Sequence, residues 1–354
     1  MTDRNYIERS FDLALRGSGY VSPNPLVGAV IVKDGEVISE GWHEKYGGPH
    51  AEANAINNYT GDLSGSTLYC NLEPCCHTNK KTPPCAPLII SSGIKRVVIS
   101  NLDPNPEVAG KGVSMMQESG IEVVSGILEE KGNELNRFFF KHIKTKQPYV
   151  SLKIAASLDG FISTGRDVQT WLTGSESKKY VHSLRASYDA VLVGASTVKV
   201  DNPKLNVRET EGRNPIKIVV DGNLSINPDV SLISEEPEKL IIYTSENSNP
   251  DKISKLRKMG VTVVPVSSNR DSTLELAKVV ADIGSRGLSS LLVEGGANIF
   301  SQFVASDLFD DIHLLTAPVL LGSGLNFAPL KNRKELKIKR SQKIGEDQLL
   351  LLTK

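Results

Sequence analysis

All four cysteines of this 354-residue chain lie between Cys70 and Cys85, and three of its six histidines, His43, His50 and His77, lie close to them. No other feature narrows the fold as much. Thiols and imidazoles clustered in one stretch of a long chain are most simply explained by a shared metal ion. The stretch reads Gly41-Trp42-His43, Pro49-His50-Ala51-Glu52, Leu72-Glu73-Pro74-Cys75-Cys76-His77 and Thr82-Pro83-Pro84-Cys85. His50, Cys75 and Cys85 are the predicted zinc ligands. Three protein ligands leave the fourth tetrahedral position to water, which separates a reactive zinc from a closed structural one. Zinc lowers the pKa of the water it binds, and Glu52 is the predicted general acid/base that moves the protons.

Two plainer readings compete, a structural zinc and a set of ordinary buried thiols. A structural site does not require a Glu beside its His, and four Cys in one window argue against chance. Cys76 and His77 stay open as replacement ligands. Residues i and i+2 of a helix point about 200° apart, so Glu52 can serve an ion held by His50 only through the helix's first turn and the neighbouring loop. His-x-Glu followed by Pro-Cys and a later Cys is the residue pattern of zinc deaminases.

Composition narrows the partners. A chain of 354 residues predicts two domains. Lys+Arg and Asp+Glu number 41 each, so the formal charge is zero. Polynucleotide binding leans on clustered cations; the balance points to a small free substrate and no nucleic acid. Cysteines in a metal pattern predict a reducing compartment. Met1-Thr2-Asp3-Arg4-Asn5 lacks the start of a secretory signal, and no apolar run approaches the ~20 residues of a membrane span. The expectation is a soluble, cytoplasmic protein without a membrane partner.

Periodicity predicts helix over 5–17, a hairpin of strands 27–33 and 36–43 about Asp34-Gly35, a helix opened by Pro49 and His50, and strand 66–72. Helix 86–92, strand 96–100, helix 112–119, strand 121–124 and helix 133–144 follow. The prolines flanking Asn24 stiffen its backbone, a way to hold its side chain toward a ring. Lys80 and Lys81 in the cysteine loop are either a phosphate contact or a solvated charge pair. Lys144-Thr145-Lys146-Gln147-Pro148 is a polar hinge, dividing a domain over 1–145 from one over 149–354.

The second half alternates again, with strands at 149–157, 189–194, 216–221, 240–243, 261–266, 290–293, 311–318 and 348–352. Helices are predicted over 175–186, 273–285 and 297–305. Such alternation predicts a mixed or parallel sheet covered on both faces. No Gly-x-Gly-x-x-Gly follows the first strand, so a Rossmann site has no motif support. Leu291-Leu292-Val293-Glu294-Gly295-Gly296-Ala297-Asn298 is instead a strand, two glycines and a helix start. It is either a pyrophosphate cradle or a plain turn into a helix.

Asn24-Pro25-Leu26-Val27-Gly28-Ala29-Val30-Ile31-Val32, Gly41-Trp42-His43, His50-Ala51-Glu52 and Glu73-Pro74-Cys75 through Thr82-Pro83-Pro84-Cys85 resemble the deaminase half of the bifunctional deaminase/reductase family of riboflavin biosynthesis. The long spacer before the last Cys is unlike the short Pro-Cys-x-x-Cys of cytidine and tRNA-adenosine deaminases. Lys153–Gly160, Thr170-Trp171-Leu172-Thr173, Val193–Val198 and Asp201–Arg208 resemble the reductase half, so the likeness spans nearly the whole chain.

The resemblance implies an α/β protein, with an N-terminal cytidine-deaminase-like α/β/α domain and a C-terminal dihydrofolate-reductase-like domain. It implies one zinc ion, NADPH, a phosphorylated pyrimidine substrate and, by fold-level analogy, a homo-oligomer. It places NADPH on Ala155, Trp171, Thr197, Asp201, Gly222 and the run Gly296, Ala297, Asn298, Ile299, Phe300, Ser301 and Gln302. Substrate falls to Asn24 and His43 in the first half, and to Gln169, Arg185, Leu205, Arg208 and Glu294 in the second. Arg185 and Arg208 offer fixed forks for a sugar phosphate. Lys153 and Asp201 are both candidate proton donors for the reduction. The rivals are a nucleoside or tRNA deaminase with an appended domain, a non-enzymatic zinc-stabilised binding module, and an enzyme with one active half.

Overall fold

Gly28–Lys33 is apolar from Ala29 to Val32, and a strand with that sequence must be covered on both faces. In the computed structural model, which describes residues 1–78, 82–269, 273–328, 330 and 332–354, it is the second strand of such a sheet. The chain forms two units, Met1–Lys146 and Gln147–Lys354.

The N-terminal unit runs α1 (Asp3–Leu15), β1 (Gly28–Lys33), β2 (Glu36–Trp42), α2 (Ala51–Asn57), β3 (Thr67–Leu72), α3 (Cys85–Ser91), β4 (Arg96–Asn101), α4 (Lys111–Glu118), β5 (Glu122–Val124), α5 (Glu129–Leu135) and α6 (Arg137–Thr145). Its sheet has the order β2-β1-β3-β4-β5. β1 is antiparallel to both neighbours, and β3, β4 and β5 are parallel. Val30 and Val32 pack on Tyr6, Ile7 and Phe11 of α1. Ala29, Ile31, Leu68 and Cys70 face the other way, against Ala51 and Ala55 of α2, Cys85 and Ile89 of α3 and Met116 of α4. The result is the α/β/α layering expected. Asp34 (φ 54°) and Gly35 (φ 81°) make the turn, both left-handed, which suits the right-handed twist of the paired strands.

One predicted helix is two. The stretch 133–144 divides at Asn136, whose backbone (φ −100°, ψ 21°) leaves the helical region. Its side chain explains the break: Oδ1 accepts from Leu26 N at 2.8 Å, and Nδ2 donates to Leu26 O at 3.0 Å. Asn71 of β3 donates to the same carbonyl and accepts from Gly28 N. These two amides act as a substitute strand edge and hold the loop that carries Asn24.

The C-terminal unit runs β6 (Tyr149–Ser157), β7 (Phe161–Ser163), α7 (Ser175–Ser187), β8 (Ala190–Gly194), α8 (Ala195–Asp201), β9 (Ile216–Val220), α9 (Ser231–Glu235), β10 (Leu240–Ser245), α10 (Pro250–Lys258), β11 (Thr262–Val266), α11 (Leu276–Ser285), β12 (Ser290–Val293), α12 (Ala297–Ala305), β13 (Asp311–Ala317), β14 (Leu325–Asn326), β15 (Lys337–Ile344) and β16 (Asp347–Thr353). Its main sheet has the order β11-β10-β9-β8-β12-β6-β13-β16-β15. The strands are parallel from β11 to β13, and β16 and β15 are added antiparallel. Sequence periodicity missed the helices α8, α9 and α10 and the strands β7, β14 and β15. α8 is a short helix rich in β-branched residues, held by its place on the sheet and not by propensity. β15 is exposed at most positions, so no apolar alternation marks it.

Asp189, at the start of β8, joins neighbouring strand ends. Its Oδ2 accepts from Ser289 N and Oγ at 2.8 Å and from Ser290 N at 3.2 Å, and its Oδ1 takes Arg213 Nη2 at 2.6 Å. Asp189→Ala leaves buried donors and a guanidinium without their acceptor. It should lower stability by about 3 kcal/mol, read as a downward shift of the C-terminal unit's transition in a calorimetric scan. An unshifted transition would refute the assignment.

Candidate active sites

The N-terminal site begins with a close approach. A side chain at Gly41 of β2 would come within 2.5 Å of Ala51 O and Ala55 N of α2, so only glycine lets the helix lie this close to the strand. That contact fixes the start of α2. His50 is its N-cap, with extended backbone (φ −77°, ψ 164°), and Glu52 lies in its first turn, 3% exposed. The cap position removes the objection raised by i, i+2 spacing, because His50 is not in the helix and its direction is not set by helical rotation.

His50 Nδ1 lies 3.4 Å from Cys75 Sγ and 3.5 Å from Cys85 Sγ, and the three atoms lie within 4.8 Å of one another. Cys75 leaves β3, and Cys85 is the first residue of α3. Cys85 N donates to Cys75 Sγ at 3.4 Å, and Ala86 N to Cys75 O at 3.0 Å. This donor set of one imidazole nitrogen and two sulfurs, none in a disulfide, fits zinc. His50 Nε2 is 3.0 Å from Thr82 Oγ1, a contact that orients the ring with Nδ1 toward the thiols. Cys76 turns away, its Sγ 3.8 Å from Glu107 O.

Asn24 and His43 meet at the rim. His43 Nδ1 donates to Pro49 O at 2.9 Å, which leaves Nε2 to accept from Asn24 Nδ2 at 3.1 Å. Burial, with a smaller contribution from His50, holds the His43 ring below the usual imidazole range, so it stays neutral. Glu73 does not join the site. Its carboxylate accepts from Asp103 N, Gly110 N and Val113 N at the start of α4. Lys80 and Lys81 lie outside the described residues.

The C-terminal site is a cavity of about 1290 Å³ at the carboxyl ends of β6, β8 and β12, where open parallel sheets take their ligands. Of the residues singled out from the sequence, Ala155, Gln169, Trp171, Arg185, Thr197, Asp201, Leu205, Arg208, Glu294, Gly296, Ala297, Asn298, Phe300 and Ser301 line it, together with Lys153. Gly222, Ile299 and Gln302 are not in its lining. Gly222 turns its carbonyl to Ser245 N, Ile299 is buried in the core, and Gln302 donates to Asn298 along an exposed face of α12.

The polar groups divide into roles. Arg185 is not an open fork: its Nε and Nη2 reach the two oxygens of Glu294 at 2.5 and 2.8 Å, and Nη1 donates to Asn206 O. Arg208 keeps a side chain 43% exposed, with Nη1 held by Asn206 Oδ1 at 2.9 Å. Burial raises the Glu294 carboxyl, but Arg185 and Lys153 outweigh it, so the group lies below the ordinary range. Burial makes Lys153 less basic and Asp201 less acidic. Trp171 is 76% exposed, so it is not a core residue. Side chains at Gly295 and Gly296 would crowd Thr197 Oγ1 at 3.0 and 3.2 Å, so this turn is both the start of α12 and a cavity wall. Sequence reasoning missed His182, which lines the cavity from α7. Its place three residues before Arg185, on one helical face, was the available signal.

Fold and site together define a zinc-deaminase unit joined to a dihydrofolate-reductase-like unit. The family described as RibD C-terminal domain matches residues 148–350, and the cytidine and deoxycytidylate deaminase zinc-binding region matches residues 1–101. The riboflavin biosynthesis protein RibD of Actinobacillus pleuropneumoniae is 40% identical over 99% of this chain and 95% of its own length. Its counterpart from Escherichia coli K12 is 34% identical over 99% of each. A solved RibD of Acinetobacter baumannii superposes with a TM-score of 0.90 at 32% identity, covering 99% of this chain and 98% of its own. A Thermotoga maritima deaminase/reductase superposes at 0.88 with 38% identity and the same coverage. The chain belongs to the RibD family of riboflavin biosynthesis, and it is a bifunctional deaminase and reductase.

Proposed function

We propose that the N-terminal unit hydrolyses the 2-amino group of 2,5-diamino-6-(5-phosphoribosylamino)pyrimidin-4(3H)-one. The C-terminal unit then reduces 5-amino-6-(5-phosphoribosylamino)uracil to its ribityl product. The observation that carries the reading is the convergence of His50 Nδ1, Cys75 Sγ and Cys85 Sγ at the start of the helix that bears buried Glu52. These three residues would hold the zinc ion, which when bound supplies Lewis-acid activation of water. Glu52 receives the proton that water gives up and returns it to the departing nitrogen. The carbon–nitrogen bond breaks, a carbon–oxygen bond forms, and ammonia leaves. Asn24 and His43 orient the ring.

In the other unit NADPH, when bound, supplies a hydride to the sugar's C1. Ala155, Trp171, Thr197, Asp201 and the Gly296–Ser301 turn would hold it, the exposed Trp171 ring offering a flat face. Arg208 takes the substrate phosphate, while Gln169, Leu205 and the Arg185–Glu294 pair border the sugar. Lys153, made a better donor by burial, and Asp201, made a better proton holder by it, remain the two proton sources. The same reading has the enzyme working in the cytoplasm as a homo-oligomer, with neither nucleic acid nor membrane as partner.

Purified full-length protein incubated with the diaminopyrimidine phosphate should release ammonia without NADPH, and form the ribityl product only with it. Absence of ammonia release with zinc bound would overturn the deaminase reading. The ligand assignment has its own check. Cys76→Ser should keep one zinc per chain by metal analysis, whereas Cys85→Ser should lower zinc affinity by at least about 100-fold, since it removes a direct ligand. Loss of zinc from Cys76→Ser would reverse the assignment.

A further inference from the structure

His182 lies on α7, one turn after Lys178 and three residues before Arg185. It is 2% exposed yet borders the cavity. Its Nδ1 accepts from the backbone N–H of Arg208 at 3.1 Å. Arg185, on the same helix face, donates to the carbonyl of Asn206 at 3.2 Å. The segment that these two side chains grip is unusual in its backbone: Leu205 adopts φ 50°, in the left-handed region, which costs a bulky residue roughly 1–2 kcal/mol. Val207 N is held as well, by Asn214 Oδ1 at 2.9 Å. A strained segment keeps one conformation only where its surroundings over-determine it.

We propose that His182 is a positioning residue of the reductase: its unprotonated Nδ1 fixes the Arg208 backbone, and so the place from which the Arg208 guanidinium meets the substrate phosphate. The role requires a neutral ring. Burial first, then the positive charges of Arg185 and Arg208, push His182 down to about 4, so Nδ1 is an acceptor throughout the neutral range. The groups facing the ring are Arg185, Arg208, Glu209 and Glu294. The two carboxylates work in the opposite sense and do not reverse the shift. The functional half of the inference rests on the reading of Arg208 as the phosphate ligand.

The test uses the full chain, three single variants and one double variant. His182→Asn keeps an acceptor oxygen near the place of Nδ1, His182→Leu keeps bulk without one, and Arg208→Ala removes the guanidinium. Hydrogen exchange of the amides of residues 205–208 reads positioning without reference to substrate. His182→Leu should exchange faster there by about threefold to tenfold, the scale of one hydrogen bond, and His182→Asn should stay within about twofold of wild type. Reductase KM for the phosphorylated substrate reads function. His182→Leu should raise it about threefold to tenfold with kcat little changed, Asn should restore it, and adding His182→Leu to Arg208→Ala should raise it no further. The calorimetric transition of the C-terminal unit, which contains residue 182, controls for folding in the same preparations. Unchanged exchange in a folded His182→Leu overturns the positioning role. An unchanged KM in Arg208→Ala instead overturns the phosphate reading and the functional half with it, while the exchange result still decides the positioning role.

Discussion

Glu52→Gln should abolish deamination while leaving the metal in place. The exchange is nearly isosteric, and residue 52 sits buried in the first turn of α2, so packing is preserved and only the ability to carry a proton is lost. Positioned proton transfer contributes roughly 10²–10⁴ in rate, and ammonia release should fall by that factor. Zinc content by metal analysis should remain one per chain, because His50, Cys75 and Cys85 are untouched. Reduction of the deaminated substrate, supplied directly, should proceed at the wild-type rate. A variant that still deaminates within tenfold of wild type would remove Glu52 from the chemistry. A wild type equally inert would favour a zinc-stabilised binding module instead.

The second large effect is expected at Glu294. Its side chain is 5% exposed and takes both hydrogen bonds of the Arg185 fork. It is also the anion that supports the charge of Lys153. Glu294→Gln keeps the shape and removes that charge. Arg185 and Lys153 are then like-charged neighbours without compensation, in a place where burial already penalises Lys153. Breaking a buried pair from one side costs about 3–5 kcal/mol, which in a unit of this size lowers the calorimetric transition by roughly 6–20 °C. Reductase kcat/KM should fall by about 10²–10³, the scale of that loss if part of it persists in the transition state. Ammonia release should be unaffected. A Glu294→Gln protein with wild-type melting and reduction would show that the pair is neither structural nor part of the site.

The two halves differ in how much of this could be read beforehand. The zinc residues were visible because their chemistry is rare: His, Glu and two Cys in that order have few other uses. Even so, the sequence left Cys76 and His77 open, and the i, i+2 spacing of His50 and Glu52 looked unfavourable. The spacing is resolved by where α2 begins, which depends on a close contact at Gly41 that no local pattern announces, and Cys76 is set apart by its contact with Glu107. Asn71 and Asn136 hold the loop under Asn24 but read as ordinary polar residues. The second of them hid the break between α5 and α6.

In the reductase half, the strand–glycine–helix run at 291–298 was legible as either a cradle or a plain turn, and only the fold shows it lining a cavity. The engagement of Arg185 by Glu294 was not legible. The partners are 109 residues apart, and an arginine that grips phosphate has the same sequence appearance as one that neutralises a carboxylate. His182 offered only its place before Arg185 on one helical face as a signal, its acceptor role being set by a backbone amide 26 positions away.

The sequence by itself determined the architecture and the elements of the chemistry. Hydrophobic periodicity specifies which faces must be buried, and a metal-binding residue set is recognisable wherever it occurs. Tertiary structure alone decided which of several equivalent polar groups face one another. Direction and distance between side chains far apart in the chain depend on helix starts, strand register and close backbone approaches, and these are properties of the packed molecule, not of any one segment.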